Sequence, residues 1–281
     1  MKLAMSNIAW SPDERLDAYR LMANAGLTGL EIAPGLLFHE AADPFAPDAA
    51  SAKQAVREAG AFGLSLVSMQ SLLFGVEGAG LFDGPEARAR LTIGLTRAID
   101  LAGRFGIPNL VFGSPAQRRV PEGMAMSEAL DEAADIFRAA GDHAARVGTK
   151  IAIEANPAAY GTNFLTHLED ARSFVERVDH SAIVAILDLG AMHMNREFDS
   201  VPGRIPALVN RLNHVHVSEP NLAPAPAAPE RLAPVLETLR RAGYAKAVSI
   251  EMKRPEAGLP EVEAALARLL EAARKPEAAH A

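Results

Sequence analysis

Short apolar runs alternate with longer amphipathic stretches from one end of the chain to the other. The runs occupy residues 3–8, 29–32, 64–69, 109–112, 151–153, 183–187, 214–217 and 247–250, and each is read as a strand. Helix-length segments lie between most of them, at residues 12–25, 85–105, 126–147 and 230–242. Strands that alternate with helices pair in parallel, because each helix carries the chain back to the starting edge. Eight units favour an α/β fold closed as a (β/α)8 barrel over an open sheet, which would use fewer strands and leave two edges. Gly26, Gly60, Gly106, Gly148 and Gly243 fall between a helical pattern and the next strand, the usual place for a left-handed helix cap. No composition shift marks a second domain. One barrel over residues 1–273 is expected, with a frayed tail over 274–281. The stretch 223–229 is a loop by length, and the longer segment 33–47 is expected to cover a site.

Length supports this reading, since the chain has 281 residues and such a barrel typically takes about 250. Hydrophobic residues make up 49% and charged residues 22%, which excludes a disordered chain and allows a large core. The net charge of -7 argues against a general nucleic-acid partner, because neutralising phosphates needs a basic surface. Without cysteine there are no disulfides, thiolate zinc sites or catalytic thiols. The first seven residues turn polar too soon for a signal peptide, and no apolar run is long enough for a membrane span. A cytoplasmic protein with no membrane partner is the expectation.

Candidate chemistry sits at the strand ends. Leu30-Glu31, Ile153-Glu154 and Ile250-Glu251 each close an apolar run with a carboxylate, and Asp188 follows Ala185-Ile186-Leu187. The end positions Glu31, Gln70, Gly113, Glu154, Asp188, His216 and Glu251 recur once per βα unit, so a barrel gathers them on one face. A single buried carboxylate is explained by a salt bridge. Several on one face repel each other unless a cation stands between them. His214 and His216 alternate along one strand and so point the same way. His216 lies nearer the strand end and is the better ligand, while His214 is read as packing or supporting it. Glu154, Asp188, His216 and Glu251 make a hard, oxygen-rich set for one divalent metal ion, Mn²⁺ first, with Mg²⁺, Co²⁺ or Zn²⁺ as alternatives. Four ligands on a six-coordinate ion leave two positions, which two adjacent sugar oxygens would fill.

The motifs Ile151-Ala152-Ile153-Glu154-Ala155-Asn156, Ile186-Leu187-Asp188, His214-Val215-His216-Val217-Ser218-Glu219 and Ser249-Ile250-Glu251 occur in that order. In this they resemble the xylose-isomerase-like TIM barrel superfamily, its sugar phosphate isomerase/epimerase family, and the tagatose/psicose 3-epimerases within it. The resemblance spans the whole barrel, and the His-Val-Ser-Glu element is its most specific part. It implies that Glu154, Asp188, His216 and Glu251 bind the metal. It also implies that Glu154 and Glu251 flank the substrate carbon as the catalytic acid and base. A metal on a carbonyl and its neighbouring hydroxyl stabilises the enediolate formed when a proton leaves. The implied activity is a sugar isomerase or epimerase with a small-molecule carbohydrate or related polyol substrate, in a homodimer or homotetramer.

The match fails at substrate positions. Ala191 stands where the 3-epimerases usually carry a histidine, although His193 is two residues on; Tyr160 replaces a glutamate and Leu222 an arginine. Glu31, Gln70, Tyr160, Asn163, His193, His214 and Arg118 are candidate substrate-binding residues, Arg118 with Arg119 for a phosphate or carboxylate. Asn7 and Trp10 are further pocket candidates. For most of these, loop packing or a solvated charge is the competing account. His39, His143, His167, His180 and His280 are read as surface residues. A metal-dependent lyase or dehydratase of the same superfamily is the main rival activity. An endonuclease-type hydrolase would need more histidine ligands than Gln70 and Gly113 supply, and a non-catalytic sugar-binding barrel has no use for both glutamates.

Overall fold

Eight strands form where the apolar runs place them: β1 Lys2–Ser6, β2 Gly29–Ile32, β3 Ser65–Met69, β4 Leu110–Phe112, β5 Ile151–Ile153, β6 Ile183–Asp188, β7 Leu212–Ser218 and β8 Ala247–Glu251. In this computed structural model, which describes residues 1–274, they pair in parallel and in sequence order, and β1 closes on β8. His280 and residues 275–281 of the expected tail lie outside the described residues. The chain therefore folds as a (β/α)8 TIM barrel. Strands covered on both faces read as continuous apolar runs, and β2, β4, β5, β7 and β8 are buried along their whole length.

Among the described residues ten helices surround the strands: α1 Arg15–Asn24, α2 Pro34–Leu37, α3 Ala49–Ala61, α4 Pro85–Phe105, α5 Met126–Val147, α6 Leu168–Val178, α7 Leu189–Met194, α8 Val201–Leu208, α9 Pro229–Arg241 and α10 Leu259–Ala273. Their apolar stripes pack on the outer faces of the strands in one continuous core. Inside the barrel the side chains are small. Ala4, Val67 and Ala247 pack in one cluster and Val111, Ala152, Val184 and Ile186 in another, so the interior is filled rather than open.

Three details depart from the sequence reading. Gly26, Gly106, Gly148 and Gly243 are left-handed as expected, but Gly60 lies inside α3, and Gly63 takes the positive φ of +74° after it. Strand β1 stops at Ser6, because Asn7–Ala9 turns into a short 3-10 helix and the Asn7 side chain bridges to the backbone of Ala33. Segment 33–47, expected to cover the site, lines neither of the cavities beside Glu154 and Glu251 described below. Phe38 packs on Phe105, Arg97 stacks on Phe45, and Arg104 donates to the Pro47 carbonyl, so the segment is tied to the outside of α4. No described helix is long and apolar enough to cross a membrane.

Two irregularities set the registers that matter below. The β2–β3 ladder steps past Val67, placing Glu31 beside Ser68. The β6–β7 ladder steps past Asn213, placing Asp188 beside His216. Such bulges turn a strand's side chains onto new directions.

Candidate metal centre

Four strand ends bring their side chains to one point. Glu154 follows β5, Asp188 ends β6, His216 lies in β7 and Glu251 ends β8. Nδ1 of His216 stands 3.1 Å from Glu251 Oε2, 3.4 Å from Glu154 Oε1 and 3.5 Å from Asp188 Oδ2. The ligand atoms of all four lie within 4.8 Å of one another. His216 is fully buried and Glu251 nearly so, while Glu154 and Asp188 keep an opening to solvent.

Neighbouring groups aim the carboxylates. Asn156 donates its amide to Glu154 Oε2 at 2.8 Å. Ser218 donates to Asp188 Oδ2 at 3.0 Å, and Asp188 Oδ1 accepts from the Ala191 backbone at 2.5 Å, so Asp188 also caps α7. Gly113 follows β4 without a side chain, and a Cβ there would collide with Glu154 Oε2. Asn156 and Ser218 are supporting residues to which the sequence reading gave no role, and Gly113 was placed at a strand end without this one. Their signal was their place inside, or level with, the strand-end motifs.

Whether this set fits a metal ion is decided at His216 Nδ1. It is buried and makes no aligned hydrogen bond, although three carboxylates stand within 3.5 Å. Adjacent ligands on a six-coordinate ion with bonds of about 2.1 Å lie about 3 Å apart. The observed spacing is that of atoms gathered around one point, and oxygen donors with one imidazole suit a hard divalent ion.

The charges tell the same story. Burial pushes the Glu251 carboxyl up to about 7, with Glu154 and Asp188 adding to it against the pull of His216. Burial opposes charge on His216, but the carboxylates of Glu251 and Glu31 prevail and raise its pKa well above the usual value. A divalent ion that enters must displace these protons, so its affinity should weaken as pH falls below about 7. The sign for stability follows. Glu251 has a raised folded pKa, so its contribution is complete below its ordinary value of 4.5 and is lost as pH rises through about 7. Metal-free protein should therefore lose stability across that window, and added Mn²⁺ should raise the melting temperature more at about pH 8 than at about pH 5.5. Thermal melts at the two pH values check it; an equal rise at both contradicts it.

The other candidates are spread over several places. Gln70 lines a cavity of about 350 Å³ with Glu154 and Glu251, and donates to Ser6 Oγ at 2.6 Å. Tyr160 lines a second cavity, of about 410 Å³, with Glu154, Asp188 and Glu251, and its hydroxyl accepts from the Asn221 backbone. His193 stands behind Glu219 at 3.8 Å, stacked on Phe198, in a neighbouring space. Asn163 lies away from the cluster, with both ends of its amide on the Val120 backbone. Arg118 is sealed: none of its side-chain nitrogens has a partner, and burial lowers its pKa to about 10 against the pull of Glu154. Arg119 turns to the Gly161 carbonyl, and Trp10 is buried against Tyr19. Glu31 and His214 are fully buried beneath His216.

A closed parallel barrel with acidic groups and a histidine at the carboxyl ends of its strands defines a class of barrel built around strand-end chemistry. The chain belongs to the xylose isomerase-like TIM barrel family, whose model matches residues 19–274. No curated protein matches the sequence. Among solved structures, D-psicose 3-epimerase from Clostridium cellulolyticum H10, crystallised with D-tagatose, is similar at a TM-score of 0.76 and 17% identity, over 98% of this chain and 100% of that one. The 3-keto-D-glucoside 4-epimerase of E. coli is similar at 0.75 and 20%, over 95% and 98%. An L-ribulose 3-epimerase follows at 0.72 and 18%, over 98% and 92%. At these identities the likeness is one of fold.

Proposed function

We propose that the protein is a divalent-metal-dependent isomerase or epimerase of a small, uncharged sugar or sugar-like polyol. The observation that carries this reading is the convergence of Glu154, Asp188 and Glu251 on the unpartnered Nδ1 of His216. The similar barrels are by name 3- and 4-epimerases of ketoses and of a ketoglucoside, which agrees with chemistry beside a carbonyl. Glu154, Asp188, His216 and Glu251 would hold the ion, Mn²⁺ first, with Mg²⁺, Co²⁺ or Zn²⁺ as alternatives. When bound, it supplies a Lewis acid for the carbonyl oxygen and the adjacent hydroxyl. Cytoplasmic location, one domain over 1–273 and a homodimer or homotetramer belong to the same proposal.

The remaining work falls to side chains. Glu154 and Glu251 line both cavities, so both carboxylates face the space a substrate would enter. One takes the proton from the carbon beside the carbonyl. As the electron pair of that C–H bond becomes the second bond to the carbonyl carbon, the π pair of the carbonyl moves onto its oxygen, giving an enediolate. The other glutamate, protonated, returns a proton: to the same carbon from the opposite side, as the C=O re-forms, it yields an epimer; to the neighbouring carbon, with the first carbon's hydroxyl proton passing to the other oxygen, it yields an isomer. Amides and hydroxyls such as Gln70, Gln117, Asn156 and Tyr160 line the walls and suit sugar hydroxyls. With Arg118 sealed and Arg119 turned to Gly161, the side chains that meet substrate are neutral or acidic, which favours an uncharged sugar.

The test is incubation in D₂O with Mn²⁺ and a panel of free and phosphorylated ketoses, followed by NMR and mass spectrometry. The expected result is solvent deuterium in a rearranged free sugar, with no other change in mass. Loss of water identifies a lyase instead, and no exchange with any sugar overturns the reading.

A further inference from the structure

Glu31 is the next-to-last residue of β2, near the strand end as Glu154 and Glu251 are near theirs, yet the chemistry above gives it no part. It is fully buried, and among the described residues its carboxylate meets polar side chains only on His214 and His216. Both of its oxygens face one ring nitrogen, His216 Nε2, at 3.0 and 3.1 Å. His214 Nε2 stands 3.3 Å from Oε1. The His214 ring meets that of His216 edge to face, with centroids 5.1 Å apart. A carboxylate sealed from water is costly unless it is paired. Here the pairing falls on the far side of the very ring whose other nitrogen faces Glu154, Asp188 and Glu251.

We propose that Glu31, buttressed by His214, is the positioning residue of the metal centre, accepting the Nε2 proton of His216 and thereby presenting the Nδ1 lone pair to the three carboxylates. Neutral imidazole exists as two tautomers, and only the one protonated at Nε2 leaves Nδ1 free to ligate. A carboxylate on Nε2 selects that tautomer, fixes the plane of the ring and makes the opposite nitrogen a stronger donor. The bulge at Asn213 contributes by setting His216 beside Asp188. Glu31, His214 and His216 also lie close enough to share an ion of their own. All three are sealed, however, with no face left for the water or substrate that completes an ion's shell. A second ion there would also need the nitrogen that Glu31 already occupies.

This inference rests on Glu154, Asp188, His216 and Glu251 being the metal ligands, and the experiment separates the two. Full-length protein stripped with chelator is titrated with Mn²⁺ by calorimetry, wild type beside Glu31→Gln and Glu31→Asp. One equivalent is expected in the wild type. Glu31→Gln should weaken Mn²⁺ about 10–100-fold with an unchanged circular dichroism spectrum, and Glu31→Asp should recover part of the loss. Long-range ¹H–¹⁵N NMR of the Zn²⁺-loaded wild type should show His216 protonated at Nε2. That measurement decides the matter if Glu31→Gln does not fold. Wild-type affinity in Glu31→Gln, an Nδ1-protonated His216, or a second equivalent of Mn²⁺ that vanishes with Glu31 overturns the proposal. A wild type that binds no divalent ion overturns the functional reading as well.

Discussion

Glu154→Gln and Glu251→Gln should each abolish turnover while leaving the barrel folded. Glutamine keeps the volume of glutamate, so the contact of Asn156 with residue 154 and the packing around residue 251 survive. What is lost is the ability to take up and release a proton at the reacting carbon. Positioned acid–base groups contribute about 10²–10⁴ in rate, and each substitution also weakens a metal ligand, so the fall should reach at least that range. The measurement is the rate of solvent deuterium entering the sugar, with circular dichroism to check folding and metal analysis to separate lost chemistry from a lost ion. Wild-type rates in both variants would sink the assignment.

The second large effect concerns the ion itself. Wild-type protein should gain about 2.7 kcal/mol from Mn²⁺ at a hundred times its dissociation constant, a rise of roughly 5–10 °C in melting temperature for a domain of this size. His216→Ala should show none of that rise. It removes the only imidazole in the cluster and leaves Glu31 buried with a weaker partner, so its own stability should fall by about 3–5 kcal/mol. Asp188→Asn separates the two losses, since asparagine still offers an oxygen to the Ala191 backbone and preserves the cap of α7. It should melt near the metal-free wild type and respond weakly to Mn²⁺. A full Mn²⁺-dependent rise in His216→Ala would place the ion elsewhere.

The barrel was legible because strands covered on both faces must be apolar along their length, while helices at the surface must alternate. The charges that break the rule at Glu154, Asp188 and Glu251 stand out for the same reason. Depth was not legible. Glu31 and Glu154 follow similar apolar runs, yet Glu31 is sealed under two histidines and Glu154 opens to a cavity. Glu31 lies within β2 and Glu154 just beyond the end of β5, a one-residue difference in strand length that no spacing rule reveals. Arg118 and Arg119 read alike in the sequence, as ligands for a phosphate or carboxylate or as a solvated charge pair, and only the fold shows one buried and the other exposed. Segment 33–47 was misjudged because loop length says nothing about which side of α4 a loop is tied to.

Division of labour between strands and loops has a practical outcome. Residues 154, 188, 216 and 251 are anchored at the ends of hydrogen-bonded strands, whereas Phe74, Gln117, Tyr160 and Leu222 sit on the connections that follow β3, β4, β5 and β7. Exposed Phe74 has its backbone held by Ser71 and by Arg97 from α4, and its ring rests against Gly35. On the proposed reading, a mutagenesis library confined to those four positions would sample new substrates while leaving Glu154, Glu251 and the residues that aim them in place. The molecule is in that sense a socket with exchangeable walls, and if the proposed function holds, substrate preference is the trait most open to selection.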